Sequence, residues 1–148
     1  MTIPQVLVLY DMEPYVKFEY DAKLNIVFTE DHWDVKTKED VDKFFAEYKK
    51  YFTALGKKVY MISDIDHLLV RASIANYYGE TARSTVGHFL LGFARYGTND
   101  WARMTVRTTS LKASMTPNIY SSRDEAIAAI EKMKVESKPE AEGSEQKD

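Results

Sequence analysis

The sequence predicts an α/β domain with a mostly parallel sheet, an antiparallel hairpin at its N-terminal end and about four helices. Two apolar segments, residues 59–62 and 88–94, are typical of strands that are covered on both faces. Segments with helical periodicity precede and follow them, and a strand parallel to its predecessor needs such a crossover. These observations indicate one layered domain in which helices and strands alternate after the hairpin.

The hairpin is predicted from residues 15–28. Residues 15–20 alternate apolar and polar side chains at period two, and residues 24–28 do so more loosely. Residues 21–23 between them have the length of a hairpin loop. Residues 6–10 are either a further short strand or an N-terminal arm.

The first helix has the clearest signal in the chain. Thr37 is a hydroxyl cap, and acidic residues follow it in the first turn. Gly56 can adopt the left-handed conformation that closes the helix. Between them, one apolar stripe at helical spacing, which we expect to pack on the sheet, comprises Val41, Phe44, Phe45, Tyr48 and Phe52.

Two more helices are predicted on either side of the second apolar strand. Ser73 is placed to cap a helix over residues 74–85, and Gly87 ends it. Residues 101–111 carry a helical stripe but also many β-forming residues. Because the chain must return before another parallel strand can form, we predict a helix there.

The C-terminal part of the chain completes the sheet and one more helix. Residues 118–120 form a short strand at the edge, and Ser122 with Glu125 has the pattern of a capping box. The helix that follows ends near residue 134. We expect residues 1–134 to form the domain and residues 135–148, which lack an apolar face, to be a disordered tail.

Composition excludes several classes of protein. The chain has 148 residues, which predicts one domain, and a net charge of -3 without a basic run, which argues against nucleic acid as a partner. It has no Cys, so disulfides and thiolate sites are excluded. The N-terminal residues lack the features of a signal peptide or a membrane span, so we expect a cytoplasmic protein without a transmembrane segment.

The chain resembles the STAS family, and more narrowly its SpoIIAA-like branch, also described as CRAL-TRIO-like or STAS/Sec14-like. Five short segments in order carry the resemblance: LNIV (24–27), KKVYMISD (57–64), ANYYG (75–79), FARYG (93–97) and SRDEA (122–126). The resemblance implies a small, often dimeric domain that holds an apolar or lipid-like molecule.

The signalling branch of this family has a phosphorylated Ser in an Asp-Ser pair after the central strand. In the matching region, residues 64–73, that pattern is missing and Asp66 stands where a hydroxyl is wanted. Ser73 is the remaining candidate for phosphorylation, and a plain N-cap is the other interpretation.

Asp64, Asp66 and Arg95 form the first candidate site. They follow the two interior strands, and the carboxyl ends of parallel neighbours meet at the same edge of a sheet. They could form a polar clamp in which Arg95 receives an anionic group. A structural Arg–Asp pair that ties two loops together is the other interpretation.

Aromatic residues form the second candidate site. Tyr77 and Tyr78 lie on the helix predicted to cover the sheet, and Phe93 and Trp101 follow on later elements. They could wall an apolar cavity in which a Tyr hydroxyl orients the ligand. Ordinary core packing is the other interpretation.

Catalytic and metal signals are weak. His32, His67 and His88 are scattered, and the segment from Asp64 to His67 has suitable ligand types without a partner motif. There is no nucleophile elbow and no glycine-rich phosphate loop. A general acid–base pair of Asp64 and Asp66 is a further interpretation, although alternate residues of a strand point to opposite faces.

The leading hypothesis is therefore a non-enzymatic module without metal or cofactor. It would bind a small apolar or lipid-like molecule between the helix over residues 74–85 and the sheet, as a homodimer. The alternative is a protein-interaction and regulatory domain, related to anti-sigma-factor antagonists but lacking their phosphorylation motif.

Overall fold

The computed structural model describes the backbone of residues 13–112 and 116–147, and the side chains as far as residue 137 except that of Lys112. The predicted strand or arm at residues 6–10 lies outside the described residues. None of the helices in the described part of the chain combines the length and the hydropathy that a membrane span requires.

Five strands form one mixed sheet. The first two are antiparallel, and each later strand is parallel to the one before it, in the order β1-β2-β3-β4-β5. This confirms the predicted α/β class, with a mostly parallel sheet and an N-terminal hairpin. The strands are β1 (Tyr15–Asp21), β2 (Ile26–Val35), β3 (Val59–Val70), β4 (Leu90–Tyr96) and β5 (Ile119–Tyr120).

Among the described residues, four helices accompany the sheet, as predicted. The helix that was expected only because the chain must return to a parallel strand is present as the third of them. Short 3₁₀ turns lie at Ala72–Ile74 and Gly87–Phe89. The helices are α1 (Lys38–Leu55), α2 (Ala75–Thr85), α3 (Asp100–Lys112) and α4 (Arg123–Lys147).

The sheet separates two layers of helices. Side chains alternate between the faces of a strand, so Val27 and Met61 lie in a core shared with α1 and α3. Ile62 and Ala94 point the other way, into a core with Ile130 of α4. Both faces of β2 and β3 are therefore covered, which explains the apolar run of residues 59–62.

The ends of α1 agree with the predicted signals. The Thr37 side chain accepts a hydrogen bond from the backbone N–H of Asp40 at 3.1 Å, and the Asp40 carboxylate accepts one from the N–H of Thr37 at 3.3 Å. Gly56 closes the helix with a φ of 68°. All five residues of the predicted apolar stripe are buried.

Both central strands are longer than predicted. The second hairpin strand is predicted to end at residue 28 and the first apolar segment at residue 62, but β2 continues to Val35 and β3 to Val70. The two strands stay paired in parallel as far as these residues, with one irregularity between Glu30 and His32. The extension is stable because one face of it is still covered, so the charged residues within it do not end the strands.

Two smaller predictions were wrong. Ser73 does not cap a helix: it lies inside the first 3₁₀ turn, and α2 begins without a side-chain cap. The strand expected over residues 88–94 is displaced to Leu90–Tyr96, because His88 and Phe89 belong to the second 3₁₀ turn.

The helix predicted to end near residue 134 continues as α4 to Lys147, so its second half covers residues 135–147 of the predicted tail. The division of the chain at residue 134 stays a prediction.

Candidate functional site

A cavity of about 260 Å³ lies between the sheet and the helices α1 and α2. Strands β3 and β4 form its floor. Its walls are mainly apolar and include Phe44, Phe45, Met61, Leu68, Val86 and Phe93. Two charged residues, Asp31 and Arg95, also line it, and we call it the Asp31–Arg95 cavity.

Asp31 is a buried carboxyl group on β2, with 3% of its surface exposed. Its Oδ1 accepts a hydrogen bond from the Tyr48 hydroxyl of α1 at 2.5 Å and a longer one from Thr29 at 3.4 Å. The Thr29 hydroxyl also lies 2.7 Å from Ser63 Oγ on β3. This network holds the Asp31 carboxyl group in place at the polar end of the cavity.

The environment of Asp31 makes it titrate near neutrality. Burial raises the pKa of its carboxyl group from 3.8 to about 7, although the hydrogen bond from Tyr48 and the charge of Arg95 act in the opposite direction. Burial, together with the nearby Asp31, holds the pKa of Tyr48 well above its ordinary value, so this hydroxyl stays a donor. Asp31 can therefore gain or lose a proton while the Tyr48 hydroxyl continues to donate a hydrogen bond to it.

Arg95 brings a cation into the same cavity. Its Nη1 donates a hydrogen bond to the carbonyl oxygen of Pro117 at 2.6 Å, and its guanidinium carbon lies 4.7 Å from the centre of the Phe93 ring. Burial lowers the pKa of this group. Within the described part of the chain, no carboxylate oxygen lies within 4.0 Å of the guanidinium.

The cavity has a polar inner end and an apolar mouth. Gly87 is exposed, and Leu91, on the strand that carries Arg95, is 52% exposed. At a rise of about 3.3 Å per residue, Leu91 and Arg95 lie roughly 13 Å apart along β4. A molecule entering beside Leu91 would thus meet apolar side chains first and the two charged groups last.

Three of the predicted ligand residues line this cavity: Tyr78, Phe93 and Arg95. Tyr78 lies on α2 and contacts the rings of Phe44 and Phe45, with ring centres 5.8 and 5.0 Å away. Burial raises the pKa of its hydroxyl group, which is therefore neutral at physiological pH.

The predicted clamp of Asp64, Asp66 and Arg95 does not form. Ser63 faces the cavity, so the next residue, Asp64, points to the opposite face of the sheet. Asp66 Oδ1 accepts hydrogen bonds from the backbone N–H groups of residues 98 and 99, at 2.7 and 3.0 Å. It fixes the turn before α3, and the acidic neighbour of Arg95 is Asp31.

Tyr77 and Trp101 also lie away from the cavity. The Tyr77 hydroxyl donates to Asp42 Oδ1 at 2.6 Å and joins α2 to the outer side of α1. Trp101 is 60% exposed and borders a second cavity, of about 220 Å³, together with Met104 on α3.

Asp31, Tyr48 and Ser63 are the polar cavity residues that were missed as site residues. Tyr48 was assigned to the core stripe, where it does lie. Asp31 was missed because the predicted strand ends at residue 28. Had the strand been continued, the period of two from Val27 would have placed Thr29 and Asp31 on its buried face.

No group of three His, Asp or Glu side chains able to hold a metal ion occurs among the residues described. The rings of His32 and His67 stack at 4.8 Å on the extended part of β2 and β3.

No family model matches the chain, and no curated protein matches its sequence. The resemblance to the STAS family stays a prediction.

Proposed function

We propose that the chain is a non-enzymatic binding module that holds a small apolar or lipid-like molecule in the Asp31–Arg95 cavity. The observation that carries this proposal is the cavity itself: apolar walls, a small polar end and a mouth at the surface. Such a composition is typical of sites for small molecules, in which apolar area gives affinity and a few polar groups fix orientation.

The size of the cavity limits the molecule. Ligand pockets usually enclose about 300–1,000 Å³, and the value of about 260 Å³ lies just below this range. The occupant is therefore smaller than a phospholipid, unless part of it stays outside the mouth. Five aromatic rings line the cavity and favour a slender or flat apolar body: those of Phe44, Phe45, Tyr48, Tyr78 and Phe93.

The polar groups of the lining favour binding over catalysis. Ser63 is hydrogen-bonded to Thr29, and Asp31 to Tyr48. The described lining contains no His that could activate the Ser63 hydroxyl. Because these polar groups are hydrogen-bonded to one another, their positions are fixed, and a site that orients a ligand needs such rigidity.

Native mass spectrometry tests the proposal. The protein should be purified from its host without denaturation, as wild type and as two variants. Ala82→Leu adds a side chain to the cavity wall on α2, and Ala46→Leu makes the same change on the exposed side of α1. We expect a bound small molecule in the wild type and in Ala46→Leu, and its loss in Ala82→Leu.

Ligand-free spectra of the wild type, together with no thermal shift across a panel of small apolar compounds, would contradict the proposal. The homodimer and the alternative of a regulatory domain stay predictions. Multi-angle light scattering would test the first of them directly.

A further inference from the structure

We propose that the molecule held in the Asp31–Arg95 cavity is a monocarboxylate with an apolar tail, whose carboxylate binds to Arg95 beside the carboxyl group of Asp31. This inference rests on the proposed function and names the class of ligand.

Arg95 has unused capacity for hydrogen bonding at the inner end of the cavity. A guanidinium has five N–H donors. Among the described residues, the Arg95 side chain donates one hydrogen bond, to the backbone carbonyl oxygen of Pro117. Arg95 is half-buried, and a partly desolvated cation without a close anion is less stable than a paired one. A ligand carboxylate would supply that anion and can accept two parallel hydrogen bonds from the guanidinium.

The charges of the lining select a monoanion. Arg95 is the single cation that the described lining contains, and Asp31 is its single carboxyl group. A monocarboxylate neutralises Arg95 when Asp31 is protonated. A dianion such as a phosphate monoester would leave an uncompensated negative charge in an apolar site.

Asp31 thereby couples binding to a proton. The titratable groups that act on it from the surrounding elements are Tyr48 of α1, Tyr78 of α2, Asp64 of β3 and Arg95 of β4. Burial raises its pKa to about 7, and a second carboxylate close by raises the pKa further. Above pH 7, each ligand carboxylate that binds is accompanied by one proton, taken from solvent onto Asp31.

The apolar tail has a defined direction. With the carboxylate at Arg95, it runs along β4 past Phe93 towards the exposed Leu91, over roughly 13 Å of strand. An octanoate chain is shorter than this distance. Octanoate is therefore a suitable probe, and octanol is its matched neutral control.

Isothermal titration calorimetry with octanoate, octanol and octyl phosphate tests the inference. We expect octanoate to bind more tightly than either of the other two at pH 6.5. Its affinity should fall about tenfold per pH unit above the Asp31 pKa, because one proton is linked to binding. Titration at pH 8.5 in two buffers of different ionisation enthalpy should show the uptake of about one proton per octanoate.

Two variants separate the roles of the charges. Arg95→Gln should weaken octanoate about 10- to 100-fold, the usual range for a lost hydrogen bond to a charged group, and leave octanol unchanged. Asp31→Asn should bind octanoate with no dependence on pH over the same range. The proton count of the wild type supplies the test if either variant fails to fold.

The outcomes distinguish this inference from the proposed function. Binding of octanol as tight as that of octanoate, or octanoate binding without proton uptake, would overturn the inference and leave the cavity as an apolar site. Tighter binding of octyl phosphate would show that the class of anion is wrong. If none of the three probes binds and no other apolar compound does, the proposed function fails as well.

Discussion

Replacing Asp31 by Asn should remove a pH dependence from the stability of the protein. The Asn side chain keeps the shape and the oxygen that accepts from Tyr48, but it cannot ionise. The wild-type carboxyl group must lose its proton inside the core as the pH rises. The variant should therefore become more stable relative to the wild type with rising pH.

The direction and size of this effect follow from the pKa. The pKa of Asp31 is about 7 in the folded protein, against 3.8 for an ordinary Asp. Between these values the folded state holds a proton that the unfolded state has lost. The stabilisation is thus complete below about pH 4 and is lost as the pH rises through about 7. A gap of about three pH units, at about 1.4 kcal/mol each, gives about 4 kcal/mol.

Urea unfolding from pH 4 to pH 8 measures the effect. We expect the free energy of unfolding of Asp31→Asn, relative to the wild type, to rise by about 4 kcal/mol over this range and then to level off. Glu47→Gln removes one carboxylate from the exposed side of α1 and should show no such change. A constant difference between Asp31→Asn and the wild type would refute the argument that Asp31 is held protonated by burial.

Two further predictions concern the contacts around the site. Tyr48→Phe removes the main donor to Asp31, so it should destabilise the protein by about 1–3 kcal/mol and extend the loss of stability above pH 7, as measured by the same unfolding series. Gly97→Ala should destabilise by about 1–3 kcal/mol, because its Cβ would lie 2.8 Å from Asp66 Oδ1, which two backbone N–H groups hold in place. Gly87→Ala is the matched control, since its Cβ would have no neighbour within 4 Å. An equal loss of stability in both variants would contradict the argument that a steric clash with Asp66 destabilises Gly97→Ala.

The fold could be predicted where topology and periodicity agreed. The segment over residues 101–111 shows this best, since its β-forming residues favoured a strand while the next parallel strand required a helix. The structure has α3 there. The requirement to return the chain is a property of the whole sheet, and it outweighed a local preference worth a fraction of a kcal/mol per residue.

The site was harder to predict because its polar residues lie inside strands. The predicted strand ends at residue 28, yet β2 continues past Glu30 and Asp31 to Val35. Asp31 lies on the buried face of the extension and gives no signal of its own in the sequence, because its partner Tyr48 comes from another element. Arg95 was predicted as a site residue, but its acidic neighbour was not, since the clamp with Asp64 ignored the alternation of side chains along β3.

A crystal structure of the protein with octanoate tests the central claim most directly. We predict the carboxylate of the ligand within hydrogen-bonding distance of the Arg95 guanidinium, with the alkyl chain running past Phe93 to the mouth beside Leu91. Octanoate bound elsewhere, or an Arg95 that pairs directly with Asp31 in a closed and empty cavity, would contradict it.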